Sequence, residues 1–178
     1  MTDRSNEKRV VAFNVHSRSF GSVVFEGPNR MLNWGVRSFR SAANGVKVPA
    51  ATKFLAMLDE FRPSAVVVRD RVTARNAKMT KMLVMIERQA RSCRIPVRFI
   101  SRQDVNRVFV GFESNKYEVA SALARQFPDL ASPLPPKRKC WHSEDYRMGI
   151  LDAAAVAVAY FIQGRRLTLR VIIRRKTN

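Results

Sequence analysis

The chain has 178 residues, 46% of them hydrophobic, with 33 Lys and Arg against 14 Asp and Glu and a formal net charge of +19. That length and apolar content suit one domain with a full core, so disorder is not the default expectation. The charge excess concentrates polyanions at the surface, so nucleic acid is the first expected partner and an anionic membrane surface the lesser one.

Cys93 and Cys140 are too few for a disulfide framework, and with His16 and His142 they make no recognisable zinc spacing. No metal centre is expected from them. The first residues are polar and lack the apolar centre of a signal peptide, and the apolar stretch Ile150–Ile162 is short and interrupted by Asp152. A soluble intracellular protein, in cytoplasm, nucleoid or organelle matrix, is the expectation. Residues 1–8 read as a flexible tail, 9–163 as the domain and 164–178 as a basic arm or an added edge strand.

Arg9–His16 is the first predicted strand, with Asn14 as the polar residue near the end of an apolar run. Phe20–Glu26 and Met31–Phe39 complete an antiparallel meander, turned at Gly27–Asn29. Ser41–Val48 is a loop, and Pro49 opens a helix that carries Phe54, Leu55, Leu58 and Phe61 on one face. Arg62–Pro63 ends it. Ala65–Val68 is a short all-apolar strand of the kind covered on both faces. Asn76–Cys93 is a long helix with Met79, Met82, Leu83, Ile86 and Ala90 at helical spacing, a core face or a homodimer seam. Val97–Ile100 is the fifth strand. Ser101 caps a short helix to Val108, and Ser114 caps another over Lys116–Phe127, with Tyr117 and Glu118 in its first turn. A proline-rich loop, Pro128–Lys139, leads to a last helix from Glu144 to Gln163, stopped by Gly164. Phe13, Phe20, Phe25, Trp34, Phe54, Phe61, Phe99 and Phe127 fall on apolar faces and are expected in the core. The order predicts an α/β domain, a mixed five-stranded sheet flanked by helices.

Five stretches in this order resemble the RuvC family of Holliday-junction resolvases, within the ribonuclease H-like nucleases. Residues 13–21, FNVHSRSFG, resemble that family's opening I-D-P-G-S-R-x-x-G, and FRPSAVVV at 61–68 resembles F-x-P-D-x-x-x-I. TARNA at 73–77 is similar to M-A-K-N-A, and VGFESNKYEV at 110–119 to V-G-x-G-x-A-x-K-x-Q-V, one residue shorter. DAAAVAVAY at 152–160 resembles D-A-L-A-I-A-I-x-H of the final helix.

The resemblance implies a ribonuclease H-like fold and four carboxylates around two Mg²⁺ ions, which together stabilise the attacking and leaving oxygens of a phosphodiester cleavage. The chain departs from that pattern. The first aspartate falls on Asn14, the glutamate on Arg69, and the acid three residues before the last on Gly149; only Asp152 stands in place. A guanidinium where a dication should bind is worse than a neutral group. Arg69 is therefore expected to take the metal's place and pair with Asp152, helped by Asn14. Asp70 and Asp145 are the possible substitute acids. Asp70 should face away from Arg69, and Asp145 shares a helical face with Asp152 but stands about 10 Å along the axis. A loosened helix start would bring Asp145 or Glu144 closer.

Arg71, Arg75, Asn76, Lys78 and Lys81 follow the fourth strand into the long helix, the region the resemblance places beside the junction. Val72 stands where the family has a stacking aromatic. Lys116 matches a phosphate-proximal lysine, and Asn106 falls where another lysine is expected. Lys137, Arg138 and Lys139, and the tail residues Arg165, Arg166, Arg170, Arg174, Arg175 and Lys176, add charge for phosphate contacts. Trp141 and Tyr146 offer rings for base stacking. The expected function is binding of branched or duplex DNA without cleavage, on a dismantled resolvase site with no cofactor. Two alternatives stay open. One is a divergent Mg²⁺-dependent endonuclease using Asp152 with Asp70 or Asp145, and the other a basic subunit of an RNA–protein particle.

Overall fold

A computed structural model describes residues 8–16, 19–38, 50–70, 77–109, 115–139, 141 and 143–165 of the chain. Three strands come first: β1 (Arg9–Val15), β2 (Ser19–Glu26) and β3 (Arg30–Ser38). They form an antiparallel meander in which Arg9 faces Glu26 and Val15 faces Phe20. Helix α1 (Ala50–Phe61), strand β4 (Ala65–Arg69), helix α2 (Ala77–Ser92) and strand β5 (Val97–Ile100) follow. Strand β4 lies parallel to both β1 and β5, so the sheet order is β3-β2-β1-β4-β5. Helices α3 (Arg102–Val108) and α4 (Lys116–Gln126), a 3₁₀ turn at Pro128–Leu130, and α5 (Met148–Arg165) complete the described chain. This is the mixed five-stranded, helix-flanked sheet that the sequence predicts.

Alternation along the central strands divides the core into two layers. Val11, Phe13 and Val15 on β1, with Val66 and Val68 on β4, pack beneath α1 and α2. Val10, Ala12 and Val67 point the other way and pack beneath α3, α4 and α5. Helix α5 is apolar around its circumference, which suits a helix covered on all sides. Its small residues Ala153, Ala154, Ala157 and Ala159 are wholly buried and let it sit close on β1 and β2, with α3 and α4 against its outer side. Among the described residues no helix is long and apolar enough to cross a membrane.

Several expectations need correction. The last helix begins at Met148, not Glu144, because the Asp145 carboxylate accepts the Arg147 N–H at 2.9 Å and holds a turn there. Three successive i to i+3 bonds, the last from Ile150 N–H to the Arg147 carbonyl, wind the chain into the helix. Gly164 does not stop α5, which runs to Arg165. The cap of α4 is Asn115, whose side-chain oxygen accepts the Tyr117 N–H at 3.0 Å, and not Ser114. Trp34 and Phe99 are 36% and 37% exposed rather than buried. They lie on β3 and β5, the two edges of the sheet, where helices cover less of each strand. The loop at 41–48, Pro49, residues 1–7 and the arm beyond 165 lie outside the described residues.

Ser101 caps α3 as expected. Its hydroxyl accepts the Asp104 N–H at 3.0 Å, while the Asp104 carboxylate accepts the Ser101 N–H at 3.1 Å. Ser101→Ala is expected to cost about 1 kcal/mol in urea unfolding. The hydroxyl's hydrogen bond is the largest influence holding the Asp104 carboxyl below its ordinary value. A lowered acid stabilises the fold above its unfolded pKa and loses that contribution as pH falls through its folded pKa. The Ala variant should therefore lose less stability on acidification than the native chain.

Candidate functional site

The alternation that places Val10 and Ala12 beneath α5 places Asn14 there too. Asn14 is 6% exposed and pairs across the ladder with Gly21 of β2. The start of α5 passes directly over this point. A Cβ at Gly21 would stand 2.7 Å from the Ile150 nitrogen and closer still to the Gly149 carbonyl, so only glycine admits the helix here. One turn further on, Asp152 comes down onto Asn14. The Asn14 side-chain nitrogen donates to Asp152 Oδ2 at 2.9 Å and stands 3.1 Å from His16 Nε2.

The cation at Asp152 comes from α4. Lys116, the first residue of that helix after its Asn115 cap, puts Nζ 2.6 Å from Asp152 Oδ2. The same ammonium pairs with Glu144 Oε1, on the loop before α5. One lysine thus bridges two carboxylates, one 8% exposed and the other open to solvent. Burial pushes the Asp152 carboxyl above its usual value. The Lys116 charge and hydrogen bond, and then the Arg69 charge, pull it back, while Glu144 pushes it further up.

The expected pairing of Arg69 with Asp152 is corrected. Arg69 ends β4 on the α5 side of the sheet and acts on Asp152 through space, but the ion pair within 4 Å belongs to Lys116. The Arg69 Nε is buried without a hydrogen-bond partner among the described residues. Lys116 makes the contact from the first turn of α4. Gly149 sits beside the His16 ring: a Cβ there would stand 3.1 Å from Nε2.

The Lys116 ammonium pairs with Asp152 and Glu144. Of the substitute acids, Asp145 lines the same cleft as Lys116 and Glu144. Asp70 follows β4 with its N–H held by the Ile100 carbonyl at 3.0 Å. Asp145 lies outside the helix, so it shares no helical face with Asp152. It accepts from Arg147 Nε at 3.0 Å and Nη2 at 2.7 Å, and these bonds hold its carboxyl below the ordinary value. Glu144, which the sequence reaches only through a loosened helix start, is the second acid.

Of the expected phosphate ligands, Lys78 and Lys81 are exposed on α2, the layer across the sheet from α5. Lys137, Arg138 and Lys139 are exposed on the loop before α5, with the Lys139 ammonium 5.5 Å from the Trp141 ring centre. Trp141 and Tyr146 are 72% and 67% exposed. Arg71, Arg75, Asn76, Arg166, Arg170, Arg174 and Arg175 lie outside the described residues, as does the side chain of Arg165.

These residues do not fit a pair of Mg²⁺ ions. Two carboxylates face two cationic side chains, so the formal charge of Asp152, Glu144, Lys116 and Arg69 sums to zero. Among the described residues no group of three or more His, Cys, Asp and Glu is placed to hold a metal. A hard dication needs anionic oxygens, and here an ammonium already lies between them.

No family model and no curated protein matches the sequence. Solved structures do match. The structure of Thermus thermophilus RuvC superposes with a TM-score of 0.60 at 21% identity, covering 88% of this chain and 95% of that one. T. thermophilus RuvC in complex with a Holliday junction substrate gives 0.58 at 17% identity over the same shares. The yeast mitochondrial Holliday junction resolvase Ydc2 gives 0.58 at 10% identity, covering 90% of this chain and 82% of that one. The three-stranded meander, the parallel strands beyond it and the buried last helix are therefore those of the ribonuclease H-like fold of RuvC.

Proposed function

We propose that the chain binds branched or duplex DNA on a RuvC-like scaffold and does not cut it. The observation that carries this reading is the Lys116 ammonium between Asp152 and Glu144, where a nuclease of this fold would gather carboxylates around divalent ions. The net charge of +19 supports a polyanionic ligand. The exposed Lys137 and Arg138 line the cleft that Lys116 and Glu144 share, Lys139 follows them on the same loop, and the three suit phosphate contacts, which position a duplex without reading its bases. Self-association through residues 76–93 belongs to the same proposal, and sedimentation at increasing concentration tests it.

The test uses labelled four-way junction and matched duplex with Mg²⁺ or Mn²⁺, beside gel shifts in EDTA. Retarded DNA without cleavage is the expected result. Cleavage abolished by Asp152→Asn would overturn the reading in favour of a divergent nuclease. The proximity of Glu144 to Asp152 favours that second reading specifically, with Lys116 drawn off by a phosphate. Retardation of structured RNA but not DNA would move the ligand to RNA. Affinity should fall steeply with salt, and replacing Lys137, Arg138 and Lys139 by alanine should flatten the log–log slope by about 0.9 for each phosphate that is no longer neutralised.

A further inference from the structure

Beside the acid pair, a cleft of about 540 Å³ opens between the start of α4 and the loop leading to α5. Lys116 and Glu144 form the wall it shares with Asp152. Its apolar side consists of the half-buried Tyr117, the buried Pro135 and Met148, and the exposed Pro136. Tyr117 is the aromatic ring of this lining, and the two prolines add apolar surface beside it. The two acids of the cleft are already balanced, Glu144 by Lys116 and Asp145 by Arg147. The charge left over is that of the exposed Lys137 and Arg138, which carry no ion pair among the described residues. Ser143 adds a hydroxyl at the mouth.

An apolar wall with one aromatic ring, two uncommitted cations and a hydroxyl, within the volume range typical of small-ligand sites, match a base joined to its phosphate better than a purely apolar ligand or a metal ion. We propose that this cleft receives a single unpaired nucleotide of the bound DNA. Its base lies against Tyr117 and Pro136, and its phosphate is met by Lys137 and Arg138. The inference rests on the DNA-binding reading above and gives it a structural preference: a duplex interrupted by an unpaired base is held better than a continuous one. It also accounts for a basic loop built with consecutive prolines, which fix the backbone of the wall.

The test compares, in EDTA, a matched duplex with the same duplex carrying one bulged 2-aminopurine. The bulged DNA is expected to bind about tenfold more tightly, with its fluorescence quenched on binding, the scale of one base–aromatic stack. Tyr117→Ser should remove the preference and the quenching while matched-duplex affinity stays as in the native chain, and Tyr117→Phe should restore both. Pro136→Glu, at an exposed position, provides a second variant whose folding is not at issue and should also remove the preference. Equal affinity for the two DNAs, or a preference that survives Tyr117→Ser and Pro136→Glu, would overturn the cleft assignment and leave DNA binding standing. Failure to bind either DNA would overturn the DNA-binding reading itself.

Discussion

Replacing Lys116 with methionine lowers the stability of the fold by about 1–3 kcal/mol at mildly alkaline pH, and the loss shrinks toward zero as the solution is acidified. Breaking a fully buried ion pair typically costs more than this, but Lys116 is 43% exposed at its side chain, and water screens part of the interaction. The pH dependence follows from Asp152. Burial raises its carboxyl above the ordinary value, so the folded chain binds a proton more readily than the unfolded one. A raised acid contributes stability that is fully present below its unfolded pKa and is lost as pH rises through its folded pKa. Lys116 is the chief influence opposing that rise. Without it the folded pKa climbs further, and the penalty above that pKa grows. The native and variant chains therefore converge where Asp152 is protonated in both and separate as pH rises.

Urea titrations across pH measure the gap directly. The same substitution in an Asp152→Asn background should cost much less and lose its pH dependence, because the buried charge that Lys116 balances is gone. A gap that stays constant with pH would show that Lys116 stabilises α4 by packing alone. A gap that persists in the Asp152→Asn background would assign the stabilisation to Glu144, the other carboxylate on the same ammonium.

Much of the fold is legible in the sequence because period-2 and helical patterns report which side of an element is covered. The strand at β1, the apolar run Ala65–Val68 of β4 and the small-residue run of α5 each announce burial on their own. Edges are not legible. Trp34 and Phe99 are large apolar residues within strands, and only the sheet order leaves β3 and β5 outermost. The start of α5 is hidden because Asp145 spends its carboxylate on its own loop, through Arg147. In the sequence only family resemblance brings Asn14 and Asp152 together, and the structure joins them by a hydrogen bond. The bridge from Lys116 to Asp152 and Glu144 is not visible in the sequence. Its members are far apart along the chain, and the reach of a lysine from one helix to another leaves no periodic trace. The available signal is coarse: a lysine directly after a capping residue, and an acid just before the last helix.

Gly21→Ala is expected to be the most damaging single substitution in the site, about 3 kcal/mol or more, because the new methyl group meets backbone on the facing helix. The Gly149 carbonyl and the Ile150 nitrogen cannot swing aside as a side chain can, so α5 must lift from β2. That lift would open the contact beneath it, where Asn14 donates to Asp152. Gly149→Ala makes the internal control. Its methyl group would point at the His16 ring, 3.1 Å from Nε2 and 3.5 Å from Cδ2, and a ring at the end of a side chain needs to give by only a few tenths of an ångström. The two glycines face each other across one contact, yet the first should unfold the chain at much lower urea than the second. Equal losses would mean that the helix is held against the sheet less tightly than the glycine contact implies. A large loss at Gly21 alone makes this close approach the structural condition for keeping Asp152 over Asn14, whether or not the site still serves chemistry.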